Sequence, residues 1–281
     1  MDLAAHRQVV AVVHGDGRLS RVEHHERVGS TNDVALARLR DGAAPGLVVV
    51  ADRQTAGRGR RGRRWVDDVD GPAGPANLAV TVALAATGPH VGQVPLATGL
   101  AVRDAVLAVA ADAEVTLKWP NDVLVRVPSV AGQPDDRKLA GILCERHHLD
   151  DRSDGQDVVL IGCGINVDRR GIAPSADTAG WGSIAEVVAS DVDRGAVLAA
   201  LLAALPDRVE RALAGEPEHR TAYLAACSTI GQQVRVDHTD GSKVVGEAVD
   251  IGDDGRLVLR AGGGHEYIAA GDTTHLRPMT G

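Results

Sequence analysis

The chain has 281 residues, 44% of them hydrophobic and 24% charged, the balance of a globular protein with one large core and room for a small appended unit. Its formal net charge of -8 argues against a generic nucleic-acid binder, because sequence-independent binding rests on a basic surface. No secretory signal and no apolar run of bilayer-spanning length is legible, so a cytoplasmic location away from membranes is expected.

Val9 to Val13 and Leu19 to Val28 are expected to be strands joined at Gly15-Asp16-Gly17. Ser30 with Asp33 has the form of a capping box opening a helix that ends near Arg40, and the same hydroxyls and amide (Ser30, Thr31, Asn32) are free to face a ligand. Leu47 to Ala51 is a continuous apolar strand delivering Asp52, Arg53 and Gln54 to a loop. That loop, Arg53 to Arg64, packs six arginines into twelve residues, with glycines at 57, 59 and 62 that permit close backbone approach. Alone it reads either as a basic patch or as a clamp for a phosphate-bearing ligand.

After Trp65 an acidic, Gly/Pro-rich segment (Asp67 to Pro75) leads into a core strand, Asn77 to Leu84. Pro95 suits the first turn of a helix running to about Ala111. Val115 to Lys118 and Val123 to Val127 are short strands flanking Trp119-Pro120-Asn121-Asp122. Pro128 to Arg137 reads as a hairpin excursion, followed by strands Lys138 to Glu145 and Val158 to Val167 and a loop from Asp168 to Gly180. Helices are expected at Ser183 to Ser190, at Gly195 to Leu213 with a kink or break at Pro206, and at Glu218 to Cys227. From about Ser228, five short strands near Val234/Val236, Val244/Val245, Val249/Ile251, Leu257/Leu259 and Tyr267/Ile268 suggest a small β-barrel.

Cys144, Cys163 and Cys227 are odd in number, widely spaced and set among apolar neighbours, so reduced thiols are expected and a structural zinc site is not. Lys118 to Asp122 sets a cation, an aromatic face, an amide and a carboxylate at one turn. Its plainer reading is a packed Trp with a self-bonded Asn-Asp. Gly162-Cys163-Gly164-Ile165-Asn166 lacks the third glycine and the following helix of a dinucleotide fingerprint. A strand whose glycines admit a flat ligand is the better reading, with Asn166 supplying polar contacts.

Taken in order, Ser30-Thr31-Asn32, Gln54 to Trp65, Lys118 to Asp122, Lys138 to Leu143 and Gly162 to Val167 resemble the biotin–protein ligases, in the monofunctional form without a DNA-binding domain. The resemblance is strong over about Glu23 to Val167 and weaker beyond. It implies an α+β fold: a mixed, largely antiparallel sheet with flanking helices, class II synthetase-like, in residues 1–227, then an SH3-like barrel in 228–281. It also implies MgATP-dependent activation of biotin as biotinyl-AMP, then transfer to one lysine of the carboxyl carrier domain of an acyl-CoA or pyruvate carboxylase. Neither nucleic acid nor membrane is expected as a partner.

By the same resemblance Ser30, Thr31, Asn32 and Gln54 would bind biotin's ring system, and Arg58, Gly59 and Arg60 its carboxylate end. Arg61, Arg63 and Trp65 would close over the nucleotide, with Asn121 and Asn166 on that side. Lys138 would neutralise charge at the reacting carboxylate and phosphate, while Asn121 and Asp122 are candidates for metal or phosphate contacts and for orienting the incoming lysine, with Asp122 a candidate to accept its proton. Lipoate–protein ligases share this chemistry, and the arginine-rich stretch favours biotin over them. A nucleic-acid module built on that stretch and the barrel is the remaining alternative, disfavoured by the net charge and by two Tyr and no Phe for stacking.

Overall fold

Runs that are apolar on every position, rather than on alternate ones, mark strands covered on both faces. In the computed structural model three strands that are apolar over most of their length form the middle of a seven-stranded sheet: β2 (Leu47–Gln54), β5 (Asn77–Ala85) and β9 (Asp157–Asn166). The structure describes residues 17–275 apart from 68, 73, 129–134, 150–156, 174, 177, 239–240 and 270–271. The expected strand at Val9 to Val13 and the tip of the 128–137 excursion lie outside the described residues.

β1 (Arg21–Val28) pairs parallel with β2 at one edge. β8 (Asp135–His148), β7 (Asp122–Val127) and β6 (Val115–Lys118) continue the sheet beyond β9, all antiparallel. The small ladder β3 (Asp70–Gly71) and β4 (Gly74–Pro75) stands apart from the sheet. The architecture is therefore the mixed, largely antiparallel sheet that the motif order implies.

Helix α1 (Thr31–Arg40) covers one face, burying Ala35 and Leu39 with Val49, Ala83 and Leu160. Helices α2 (Val94–Val109), α3 (Ile184–Val188), α4 (Arg194–Leu213) and α5 (Pro217–Ala226) belong to the larger core of the opposite face. Two local expectations fail. Ser30 is the N-cap of α1 but makes no side-chain capping bond, and the Asp33 carboxylate that would complete the box is taken by Arg58. Pro206 does not end α4, which runs through it as one helix of twenty residues. Leu201, Leu202, Leu205 and Val209 are all buried around that position, and their packing outweighs a local propensity cost of about 3 kcal/mol.

The C-terminal strands β10 (Gln233–Asp237), β11 (Lys243–Ile251), β12 (Leu257–Ala261), β13 (Gly264–Ile268) and β14 (Asp272–His275) form an antiparallel sheet in the order β13-β12-β11-β10-β14. The strands expected at 244–245 and 249–251 are one element, β11, with an irregular register between Ala248 and Asp250. The fifth strand is β14, whose Asp-Thr-Thr-His sequence lacks the apolar signal a pattern search needs.

This sheet is tied to the larger one by Trp119, which is 1% exposed. Its backbone N–H donates to Thr229 Oγ1 at 3.1 Å and its Nε1–H to the Gly255 carbonyl at 3.1 Å. Gln93 Nε2 adds a bond to the Gly252 carbonyl at 3.0 Å. Trp119 is thus an anchor between the two sheets, the plainer of its two sequence readings. Trp119→Phe removes the donor from a buried carbonyl, so equilibrium denaturation should show a loss of about 1–3 kcal/mol.

Candidate active site

The floor of the site is a strip of glycines. Gly141 on β8 opposes Gly164 on β9, and Leu143 opposes Gly162. A Cβ at Gly162 would lie 2.5 Å from Asn32 Oδ1, and one at Gly164 would lie 2.5 Å from Trp65 Nε1 and 2.6 Å from its Cζ2. The Gly-Cys-Gly motif is therefore a seat for two side chains of the chain itself. Trp65 lies flat in that seat, 6% exposed, with its ring stacked on Trp181 at 4.4 Å and 25° between planes. Trp181 is placed by backbone pairing of its neighbours with Lys138: Lys138 N–H donates to the Gly180 carbonyl and Gly182 N–H to the Lys138 carbonyl.

Beside the strip runs a row of buried, uncharged polar groups. Ser30, Thr31 and Asn32 come from the start of α1, Gln54 from the end of β2, and Thr81 from β5. Gln54 Oε1 accepts from Thr31 N–H at 2.8 Å and from Thr31 Oγ1 at 3.1 Å. Thr81 Oγ1 lies 2.8 Å from Thr31 Oγ1 and donates toward Asn32 Oδ1 at 2.6 Å. Asn32 Nδ2 donates to Glu145 Oε2 at 2.6 Å.

The arginine-rich segment is a tight hairpin. Gly57 O accepts from Trp65 N–H at 2.9 Å, Arg63 O accepts from Gly59 N–H at 2.7 Å, and Arg60–Gly62 form a 3-10 turn. Arg58 grips Asp33 through two bonds of 2.7 Å and approaches Glu145 at 3.6 Å. The Arg58 guanidinium holds the Asp33 carboxyl below its usual range. Arg61 is turned the other way. Its backbone sits in the left-handed region at φ 58°, and its guanidinium forks onto the carbonyls of Asp237 and His238 at 2.9 Å each. The hairpin is thereby docked on the C-terminal sheet.

At the far wall Lys138 Nζ meets Asp122 Oδ1 at 2.7 Å and lies 5.6 Å from the Trp65 ring centroid. Asn121 Nδ2 donates to the Ile142 carbonyl at 3.0 Å, which holds the turn before β7 against β8. Asn166 is fully buried and donates to the Lys138 carbonyl at 3.1 Å, behind the wall.

One cavity brings these groups together. It is lined by every expected site residue except Arg61 and Asn166. Arg61 faces the C-terminal sheet, and Asn166 supports the strand that carries Lys138. Cys163 backs the cavity; burial raises its thiol pKa, and pushes that of Cys144 up to about 12, so both stay protonated thiols at neutral pH.

Residues 25–166 match the Biotin/lipoate A/B protein ligase family, and residues 229–275 match the Biotin protein ligase C terminal domain. The chain belongs to the biotin/lipoate protein ligase family. It is similar to the biotin–[acetyl-CoA-carboxylase] ligase of Mycobacterium tuberculosis, with 38% identity over 257 residues covering 89% of this chain and 87% of that one. The enzyme of the same name from Paracoccus denitrificans is 33% identical over 255 residues, covering 88% and 97%. Among solved structures, the biotin protein ligase from Aquifex aeolicus in complex with biotin and ATP superimposes with a TM-score of 0.69 at 25% identity, covering 92% of this chain and all of that one.

Within this ligase-family site, sequence reasoning overlooked four residues. Trp181 carried a signal, being one of only three tryptophans in a chain with no Phe. Asp33 and Glu145 stood just beyond the quoted motifs and were read as a cap and as a strand end. Asp67 gave no signal, since an acidic, glycine-rich stretch reads as solvated.

Proposed function

We propose that this cavity activates biotin with ATP and passes it to a lysine of the biotin carboxyl carrier domain of an acetyl-CoA carboxylase. The observation that carries the proposal is one cavity with two chemistries: an uncharged hydrogen-bonding row, and a cationic wall of Arg58, Arg60, Arg63, Arg64 and Lys138. A ureido ring suits the first and a nucleotide phosphate the second. Biotin's carboxylate would attack the α-phosphorus of ATP, forming biotinyl-AMP and releasing pyrophosphate. The carrier lysine's amine would then attack the acyl carbon, with AMP leaving.

Lys138 is the group placed to neutralise charge on the reacting oxygens. When a substrate oxygen takes the place of Asp122 Oδ1 at Lys138 Nζ, the Asp122 carboxylate is released to accept a proton from the incoming amine. Mg²⁺ would arrive with the nucleotide and screen its phosphates. The cavity wall offers one carboxylate at that end, Asp122, and no cluster of three His, Cys, Asp or Glu is present among the described residues. Such a donor set fits a cation held mainly by substrate phosphates. The proposed division places catalysis in residues 1–227 and a carrier- or loop-supporting unit in 228–281. The proposed compartment is the cytoplasm; no described helix is long and apolar enough to cross a membrane.

The test is pyrophosphate release from ATP with biotin, lipoate or neither, followed by mass spectrometry of a carrier domain. Biotin-dependent release and a biotinyl-lysine are expected. Lipoate dependence, or salt-sensitive nucleic-acid binding with no release, would refute the reading. Arg60→Ala opens the hairpin side of the cavity, so free biotinyl-AMP should accumulate in the medium about tenfold faster while adenylation continues.

A further inference from the structure

Asp67 follows Trp65 in a segment whose composition reads as solvated, yet it is 2% exposed. Its Oδ2 accepts from Gln54 Nε2 at 3.1 Å. An ionised carboxylate only accepts, so it admits one orientation of the Gln54 amide, with the NH₂ toward Asp67 and the carbonyl toward Thr31. Glu145 does the same for Asn32 at the opposite end of the row. Between these two acceptors, Thr31 N–H donates to Gln54 Oε1 and the Thr81 hydroxyl to Asn32 Oδ1, with Thr31 Oγ1 2.8 Å from Thr81 Oγ1 in the middle of the row. The polarity of the row therefore comes from its ends.

We infer that Asp67 is a positioning residue, a carboxylate behind Gln54 that fixes the amide so that the row offers its ligand a single pattern of donors and acceptors. This inference rests on the reading of that row as the biotin end of the site. Asp67 does not itself line the cavity and reaches it through Gln54, which does. Its neighbours are Gln54 on β2, Asn77 on β5, Arg194 at the start of α4 and Arg169 after β9.

Placing a carboxylate there is costly to the fold. Burial pushes the Asp67 carboxyl up to about 6, against the opposing pull of the nearby Asn77 amide, the Gln54 hydrogen bond and the charges on Arg194 and Arg169. The folded value lies above the ordinary 3.8, so the folded state binds the extra proton and loses relative stability as pH rises from 3.8 through about 6. A residue kept for packing alone would serve better as an amide. A charged group retained against stability points to a role in the site.

Asp67→Asn keeps shape and an acceptor but also allows the flipped Gln54 amide. In the full chain at neutral pH, calorimetry should find biotin bound about tenfold more weakly, with Tm unchanged or raised. Without ligand, the Gln54 side-chain amide resonances, assigned by comparison with Gln54→Ala, should titrate with a midpoint of about 6 in the wild type and stay flat in the variant. Binding within about twofold of wild type would overturn the inference, as would weaker binding accompanied by a lowered Tm. So would a Gln54 amide that does not titrate. If the wild type takes up no biotin, the biotin reading falls, and the ligand-free titration decides the role of Asp67 on its own.

Discussion

Lys138→Ala should lower the single-turnover rate of biotinyl-AMP formation by about 10²–10³-fold, the size expected for losing one preorganised charge at a developing oxyanion. The argument is geometric. Lys138 leaves β8 beside the Trp65–Trp181 stack, its backbone is held on both sides by the Gly180 and Gly182 peptides, and its ammonium projects into the cavity toward Asp122. The side chain is 25% exposed and its partner 23%, so water reaches the vacated carboxylate and the fold should survive the change. Rapid-quench measurement with labelled ATP reads the rate directly. A wild-type rate would remove Lys138 from the chemistry and leave the ion pair with Asp122 as an ordinary surface contact.

Gly164→Ala should be damaging although it adds only one methyl. The new Cβ would lie 2.5 Å from Trp65 Nε1, with rigid indole on one side and β-sheet backbone on the other. No flexible side-chain end is available to yield, so Trp65 must leave its seat and the stack with Trp181 must open. An overpacking cost of about 1–3 kcal/mol is expected, together with loss of adenylation, since the ring forms part of the cavity wall. With three tryptophans in the chain and no Phe, near-ultraviolet circular dichroism should report the displaced ring clearly. Gly29→Ala is the control, because a Cβ there meets nothing within 4 Å. If Gly164→Ala matched that control in stability and spectrum, the seat would not be the tight one described.

Element order was legible because each strand and helix has its own local signal. β2, β5 and β9 are apolar over most of their length, α2 has a proline in its first turn, and Asp-Gly or Gly-Gly pairs mark the C-terminal turns. Misreadings arose where distant packing outweighed the local signal. Pro206 is carried inside α4 by its buried neighbours, and the 244–251 segment is one strand because β10 pairs with its first half and β12 with its second. Twelve of the fourteen expected site residues share a cavity, for the motifs that mark them are short and rigidly spaced. Arg61 and Asn166 were assigned by resemblance, with the motifs that contain them. At Arg61 a left-handed backbone turns the side chain toward the other sheet, and in a strand alternate side chains point to opposite faces.

By itself the sequence determined the order of the elements, the motif set that implies acyl-adenylate chemistry, and the accumulation of cationic charge after β2. All three depend on residue type and short-range spacing. Only the tertiary structure decided that Trp119 is an anchor, that Trp181 completes the aromatic stack, and that Asp67 and Glu145 set the polarity of the row between them. Asn32 and Glu145, or Trp65 and Trp181, are more than a hundred residues apart. Burial and hydrogen-bond direction at such pairs exist only once the sheet has brought them together.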